Sequence, residues 1–450
     1  MHCTERHIPM GIVAKFGGSS LADAKSVRNV AQIIQSNPEI DIVVVSAPGK
    51  RYPTDEKVTD LLLQLWGLKP PLQTTLRERI LERFVDIITE VHPNPLLEHE
   101  LDELLESVSR REGSSFIPRR ELVVSRGEYA MARVMANVLD WTFVDAADFI
   151  CFDRHHDYDA ESTMIAFKKL PAQTKIVVPG FYGACAGEIV TFSRGGSDIT
   201  GAIMAQLSRA QVYENWTDVC GVLAADPNSV HEPESIRTMT YEELRELSYR
   251  GARVLHEDAL APVRASGIPV NVRSTQQLSD PGTWIVKELD PAKPRKGSIV
   301  GIAGKDDFVS FTLKKPGMGR ERGFYLKVCG VFDTHQINIE HLPGGIDTQS
   351  VIIDASQLEG RTATNIQRQL MTVCKLPSLP KVEKLALICI VGETMSHKQG
   401  IAARAFTALS KARINVNVID QGSSEINIII GVAEADLKRA INAIYKQFFQ

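Results

Sequence analysis

Residues Pro179–Ile203 read PGFYGACAGEIVTFSRGGSDITGAI. The apolar run Lys175–Gly180 ends here and gives way to a glycine-rich segment. That segment carries Arg194, Gly195, Gly196, Ser197 and Asp198 directly ahead of a helical apolar pattern, Ile199–Leu207. Strand, anion-sized loop and helix are the parts of a phosphate site, because free backbone N–H groups and the positive end of the dipole meet at a helix N-terminus. Glycine lets the backbone come close to an anion, Ser197 adds a hydroxyl, Arg194 a planar bidentate donor, and Asp198 stands at the helix start. Glycines also make ordinary turns, so this loop is decisive only beside others like it.

Two such units lie upstream. Ile12–Phe16 is an apolar strand broken only by Lys15, and Gly17, Gly18, Ser19 and Ser20 follow it. Leu21, Ala24, Val27, Ala31 and Ile34 then recur at helical spacing, with Ser20 and Asp23 as a capping-box-like start. Lys15 is placed as a point charge beside amides that receive a phosphate. Ile40–Ser46 reads as a buried parallel strand running into Ala47-Pro48-Gly49-Lys50-Arg51. Loops at the carboxyl ends of parallel strands share one crevice, which is where open α/β sheets bind ligands.

The rest of this block continues the alternation. Thr59-Asp60 opens a helix over Leu61–Leu68, and Leu72–Arg111 is charged and helical, with no chemistry assigned. The helix Glu121–Leu139 carries Ser125, Gly127 and Glu128. A mid-helix glycine costs about 1 kcal/mol relative to alanine, so something approaches that face closely, and Glu128 is placed to meet a ligand. Strands follow at Trp141–Asp145 and Gln211–Trp216, the latter leading to Thr217-Asp218, where a nucleoside could hydrogen-bond. His155 and His156 lack partners at metal spacing and read as loop surface. Tyr241–Ser266 is helical and contains Gly251–His256, and Ile268–Ser274 is the last strand of the block. The fold class is α/β, a three-layer sandwich with a mainly parallel sheet.

Asp290–Gly297, DPAKPRKG, is a linker. Beyond it Gly323-Phe324 to Ile337-Asn338-Ile339 matches Gly400-Ile401 to Ile414-Asn415-Val416 at constant offset, so two βαββαβ units are expected. The expected domains are 11–290, 298–380 and 383–450. Neither repeat carries a nucleophile or metal constellation, which suits binding or association modules.

Composition narrows the partner. The 450 residues are 44% apolar, ample for two or three domains, and 51 basic against 55 acidic residues leave a net charge of −4. That gives no electrostatic case for nucleic acid or an acidic membrane and favours a small molecule. Cys3, Cys151, Cys185, Cys220, Cys329, Cys374 and Cys389 are scattered without a C-x-x-C pair, as in a reducing cytoplasm. No apolar run reaches the roughly 20 residues of a membrane span, and Met1–Met10 has no hydrophobic signal core, which makes Met10 an alternative start.

Taken together the chain resembles the aspartokinases of the amino acid kinase family. The resemblance is carried by Lys15–Ser20, Ser46–Gly49, Ser125–Glu128, Gly180-Phe181 with Ser193–Asp198, Trp216-Thr217-Asp218 through Asp226-Pro227, Gly251–His256 and Gln421–Glu425. It implies an amino acid kinase domain followed by two ferredoxin-like ACT domains. It also implies transfer of a phosphoryl group from ATP to the side-chain carboxylate of L-aspartate, giving 4-phospho-L-aspartate, the entry to lysine, threonine and methionine synthesis. Feedback by an end-product amino acid through the ACT domains and a cytoplasmic homodimer or larger assembly belong to the same expectation. With no homoserine-dehydrogenase extension after the repeats, the monofunctional form is expected.

By that resemblance Lys15 and Asp198 are catalytic. ATP is met by Lys15, Gly17, Gly18, Ser19, Gly196, Ser197, Thr217, Asp218, Arg253 and Val254, and Mg²⁺ is held mainly by the ATP phosphates. Aspartate is met by Ser46, Thr59, Glu128 and Arg194, with Arg194 suited to its α-carboxylate and Glu128 to its ammonium. An amino acid effector falls near Phe324, Tyr325, Ile339 and Glu340. The carboxylate acceptor, with an ordinary pKa of roughly 4, is already ionised, so the chemistry needs positioning and charge neutralisation rather than a base. Leu223, Asn228 and Arg253 depart from the family pattern, so ATP is expected to bind through fewer side chains. Two rival readings are a kinase for another amino acid and a catalytically weak amino acid sensor.

Overall fold

The computed structural model describes residues 11–69, 72–109, 117–171, 175–193, 195–251, 255, 257–292, 295, 297–358 and 362–450. The chain forms two compact units. The first takes the residues up to 222 with 237–241 and 254–290, and the second takes 223–236, 242–253 and 291–450.

In chain order the elements up to residue 290 are β1 (Ile12–Phe16), α1 (Ala24–Ser36), β2 (Ile40–Val45), α2 (Val58–Gly67), α3 (Leu72–Val91), α4 (Pro95–Ser107), α5 (Arg120–Leu139), β3 (Thr142–Phe143), α6 (Ala160–Phe167), β4 (Ile176–Pro179), β5 (Tyr182–Cys185), β6 (Glu188–Thr191), α7 (Gly196–Ser208), β7 (Val212–Thr217), β8 (Thr238–Thr240), α8 (Tyr241–Tyr249), α9 (Ala261–Ser266), β9 (Val270–Ser274) and β10 (Thr283–Val286). Eight strands form one sheet in the order β3-β4-β2-β1-β7-β9-β10-β8. It is parallel throughout except where β10 runs against β9. All five residues of β1 are buried, as a central strand covered on both faces requires. Phe16 lies in register with Val45 on one side and Trp216 on the other, so β1, β2 and β7 finish level. Their three following loops therefore leave from one edge of the sheet.

Several expectations need correction. Asp23, not Ser20, caps α1, its carboxylate accepting from the Ser26 N–H at 2.8 Å, while 18–21 form a 3-10 turn. The stretch between Gly180 and α7 is not one loop but the hairpin β5–β6. Ala186 and Gly187 both hold positive φ (49° and 85°), as a two-residue turn matching strand twist demands. Tyr241–Ser266 is not one helix, because Gly251 at φ 106° stops it after α8. Nor does β9 end the sheet, since the short run TWIV of β10 adds a further strand. His155 and His156 sit exposed in a turn, as their sequence suggested.

The second unit contains β11 (Gly301–Lys314), α10 (Phe324–Thr334), β12 (Thr348–Asp354), α11 (Thr362–Val373), β13 (Lys381–Val391), α12 (Ile401–Lys411), β14 (Val418–Asp420), β15 (Asn427–Val432) and α13 (Leu437–Phe449). The repeat visible in the sequence is a repeat of caps. Gly323 (φ 72°) and Gly400 (φ 86°) start α10 and α12, and Gln336 and Arg413, both at φ 55°, follow their ends. The copies share strands in one antiparallel sheet ordered β12-β11-β13-β15-β14. β11 pairs with β12 only from Phe308 onward, yet with β13 on both sides of a bulge between Lys305 and Phe308, where Asp307 takes φ 67°. In the first copy the strand after α10 shrinks to two isolated bridges, His341–Ile352 and Gly344–Gln349.

Candidate active site

The loops after β1, β2 and β7 line a cleft of about 970 Å³ in the first unit. Gly17, Gly18 and Ser19 form one wall, Ser46, Ala47 and Gly49 a second, Thr217 and Asp218 a third, and Thr59 and Glu128 reach in from α2 and α5. The first two loops touch through backbone. The Gly49 N–H donates to the Gly18 carbonyl at 2.7 Å, and a Cβ on Gly18 would come within 2.6 Å of the Ala47 carbonyl. Only glycine fits that close approach.

Lys15 sits nearly buried on β1, its Nζ 2.6 Å from Asp198 Oδ1 in the first turn of α7. A Cβ on Gly17 would stand 3.6 Å from the same Nζ, so the cation lies beside the glycine loop. Two residues that sequence reasoning passed over fix this pair. Asn215 Nδ2 donates to Asp198 Oδ1 at 2.7 Å, and the Tyr213 hydroxyl donates to the Asp198 carbonyl at 3.1 Å. Asn215 is the β7 residue in register with Lys15. A buried amide beside the buried Glu214 in a central strand was the available signal.

The N-terminus of α7 is locked against the hairpin base. A Cβ on Gly180 would meet Ser197 at 2.6 Å, and one on Gly196 would meet the Phe181 ring at 2.7 Å. Thr200 Oγ1 accepts from the Phe181 N–H at 3.1 Å and donates to the Gly196 carbonyl at 3.0 Å. Phe181 itself holds φ 80°, a strained conformation that this packing enforces. The first-turn amides, including those of Gly196 and Ser197, have no partner within the helix and remain available for an anion.

Glu128 is buried on α5, and its Oε2 has no hydrogen-bond partner among the described residues. Desolvation pushes its carboxyl up to about 8, offset in part by the backbone amides of Ala47 and of Glu128 itself. Gly127 explains its placement. A Cβ there would lie 2.8 Å from the Ala47 methyl and 3.2 Å from Leu62, so α5 lies directly against the second loop and α2. The close approach expected at this glycine is thus made by protein.

Arg194, Arg253 and Val254 lie outside the described residues. Thr217 donates to Asp218 at 3.1 Å at the end of β7. Of the family departures, Leu223 bridges Ser235 and Asn228 folds back onto Asp226, both within the second unit. There the Phe324 side chain is in the hydrophobic core, Tyr325 is exposed and Ile339 half-buried. Glu340 accepts from the Tyr249 hydroxyl at 3.0 Å, and its neighbour His341 bridges Arg250 (2.9 Å) and Asp420 (2.8 Å). Burial, helped by the Arg250 charge, holds the His341 imidazole below its ordinary pKa. No described helix is long and apolar enough to cross a membrane.

The sequence profile of the amino acid kinase family matches residues 10–274, and that of the ACT domain matches residues 388–448. Aspartokinase 3 of Bacillus subtilis is 36% identical over 97% of this chain and 98% of its own length. The crystal structure of the Clostridium acetobutylicum aspartate kinase, described as an allosteric enzyme, superposes with a TM-score of 0.84 at 38% identity, covering 98% of this chain and all of that one. Aspartokinase III of Escherichia coli, crystallised with aspartate and ADP, shares the fold at 24% identity and a TM-score of 0.73, over 98% of this chain and all of its own. A lysine and carboxylate at a glycine-rich crevice, a second buried carboxylate facing it, and full-length likeness place this chain in one family: it belongs to the aspartokinases, the amino acid kinases that phosphorylate aspartate.

Proposed function

We propose that the phosphoryl donor is ATP, that the product is 4-phospho-L-aspartate, and that the reaction opens lysine, threonine and methionine synthesis under end-product control. The observation that carries this reading is the Lys15–Asp198 pair at 2.6 Å, with Lys15 Nζ beside Gly17 of the cleft wall that Glu128 also lines, Glu128 Oε2 having no partner among the described residues.

Lys15 neutralises charge on the transferring phosphoryl group, and the amides of Gly17, Gly18 and Gly196 add donors where that charge develops. Ser197 hydrogen-bonds the same phosphates, Ser19 lines the wall beside them, and Thr217 and Asp218 receive the nucleoside, to which the family resemblance also assigns Arg253 and Val254. Ser46 and Thr59 orient aspartate, Arg194 takes its α-carboxylate and Glu128 its ammonium. Asp198, fixed by Asn215 and Tyr213, orients Lys15. Asp198 is paired with Lys15. A Mg²⁺ carried by the nucleotide phosphates would meet Asp198 at its hydration shell. Bound there, the ion supplies further neutralisation of phosphate charge.

An amino acid effector is placed at the start of α10 and at Ile339 and Glu340, where Phe324 contributes backbone and Tyr325 its exposed ring. The allosteric character of the Clostridium relative supports such control. Exposed Leu326 and Ile346 on the second unit support assembly of two or more copies through it. The six described cysteines are all unpaired, as a reducing cytoplasm maintains them. ADP formation measured across aspartate, glutamate and other acidic amino acids, with and without lysine or threonine, tests the reading. Aspartate-dependent turnover that one end product suppresses is expected. Turnover with a different acid alone, or none, would transfer support to one of the rival readings.

A further inference from the structure

The loop between Ser46 and Thr59 is held by a buried arginine that lies outside the cleft. Arg83 on α3 is only 4% exposed. Its guanidinium donates to the carbonyls of Gly49 (2.8 Å), Glu56 (3.0 Å) and Ala22 (3.2 Å), and Nη1 stands 3.3 Å from Asp55 Oδ2. A single planar group thus ties together the far side of the glycine loop and both ends of the 49–56 segment. A lysine, with one point charge and no fork, has no geometry for this grip.

Asp55 in turn grips Arg51. Its carboxylate accepts from Arg51 Nε at 2.9 Å, Nη2 at 3.1 Å and the Arg51 backbone N–H at 3.0 Å. The Arg51 fork, with the Arg83 charge behind it, drives the Asp55 carboxyl far below the ordinary carboxylate range. Two guanidinium groups share this one carboxylate, while the Asp86 charge also acts on Arg51 and that of Asp23 on Arg83. Arg51 lines the cleft and is one-third exposed, and its bonds to Asp55 run through Nε, Nη2 and the backbone N–H, not through Nη1. Lys50 and Lys57 line the same rim.

We propose that Arg51 contacts an anionic group of a bound substrate, a carboxylate or a phosphate, and that Arg83 is its positioning residue, acting through Asp55. This rests on the phosphotransfer reading of the same cleft. The Arg83–Asp55 contact sets where the Arg51 fork points, so loss of either arginine weakens the same substrate without touching the Lys15–Asp198 pair.

The test is steady-state turnover of purified full-length Arg51→Met, Arg51→Lys and Arg83→Lys, with the KM of each substrate taken separately and thermal melting alongside. Arg51→Met raises the KM of one substrate about tenfold or more with kcat within threefold, Arg51→Lys restores part of it, and Arg83→Lys raises the same KM. A rise confined to aspartate identifies its carboxylate as the ligand, and one confined to ATP identifies phosphate. Unchanged KM values for both substrates in Arg51→Met, or melting losses without any KM change, would overturn the proposal. Wild-type protein without turnover would instead sink the phosphotransfer reading itself, so the two failures are distinct.

Discussion

Glu128 gives the sharpest expectation. Burial, with Oε2 unpartnered among the described residues, pushes its carboxyl up to about 8. At pH 7 only about one molecule in ten then carries the ionised form that an ammonium needs. Apparent affinity falls in proportion to that competent fraction. Aspartate should therefore bind about tenfold more weakly at pH 7, and about a hundredfold more weakly at pH 6, than at its plateau above pH 8. Each binding event at pH 7 releases close to one proton. Titration calorimetry in two buffers of different ionisation heat reads both quantities. Glu128→Gln removes the charge and the proton, so its affinity is flat with pH. It is also weaker than wild type above pH 8 by about 2–5 kcal/mol, the cost of removing one partner of a buried charge pair. Folding stability carries the same linkage. Between about pH 4.5 and 8 the folded state keeps a proton that the unfolded chain has lost. The stability associated with Glu128 is thus fully present below pH 4.5 and is lost as pH rises through 8, relative to the Gln variant. A wild-type aspartate affinity that is level from pH 6 to 8, with no buffer-dependent heat, would refute the reasoning.

Three further outcomes follow from the same geometry. Lys15→Met leaves Asp198 without its cation and the phosphoryl group without its point charge. Turnover should drop by about 10²- to 10³-fold while circular dichroism shows an unchanged fold. Asn215→Leu removes one of the two donors on Asp198 Oδ1, which lowers kcat by roughly ten- to a hundredfold. KM values stay near wild type, and a change in aspartate KM instead would place Asn215 in substrate binding. Gly127→Ala pushes a methyl group to 2.8 Å from Ala47 and 3.2 Å from Leu62, costing about 1–3 kcal/mol in thermal or urea unfolding and raising the aspartate KM through the displaced loop.

The parts legible in the sequence were those with a local signal. The uninterrupted apolar strands β1 and β2, the glycines after β1 and before α7, and the matched Gly323 and Gly400 caps each announce themselves within a few residues. What escaped depends on partners far along the chain. The hairpin β5–β6 was hidden by two small residues, Ala186 and Gly187, whose positive φ becomes visible only in three dimensions. β8 and β10 are three and four residues long and exist because they pair with each other and with β9. Arg83 stands in a charged helical stretch that reads as a solvated face, yet its side chain is buried by carbonyls 27, 34 and 61 residues away. The polarity of Asn215 was plain, but its purpose required knowing that β7 lies beside β1 in that register.

The most direct measurement is hydroxylamine trapping of an acyl phosphate from wild-type protein, ATP, Mg²⁺ and L-aspartate. Phosphoryl transfer to the side-chain carboxylate yields aspartyl hydroxamate that requires all three and that vanishes with Lys15→Met. Folded protein that binds ATP and aspartate but forms no hydroxamate would contradict phosphoryl transfer to the side-chain carboxylate.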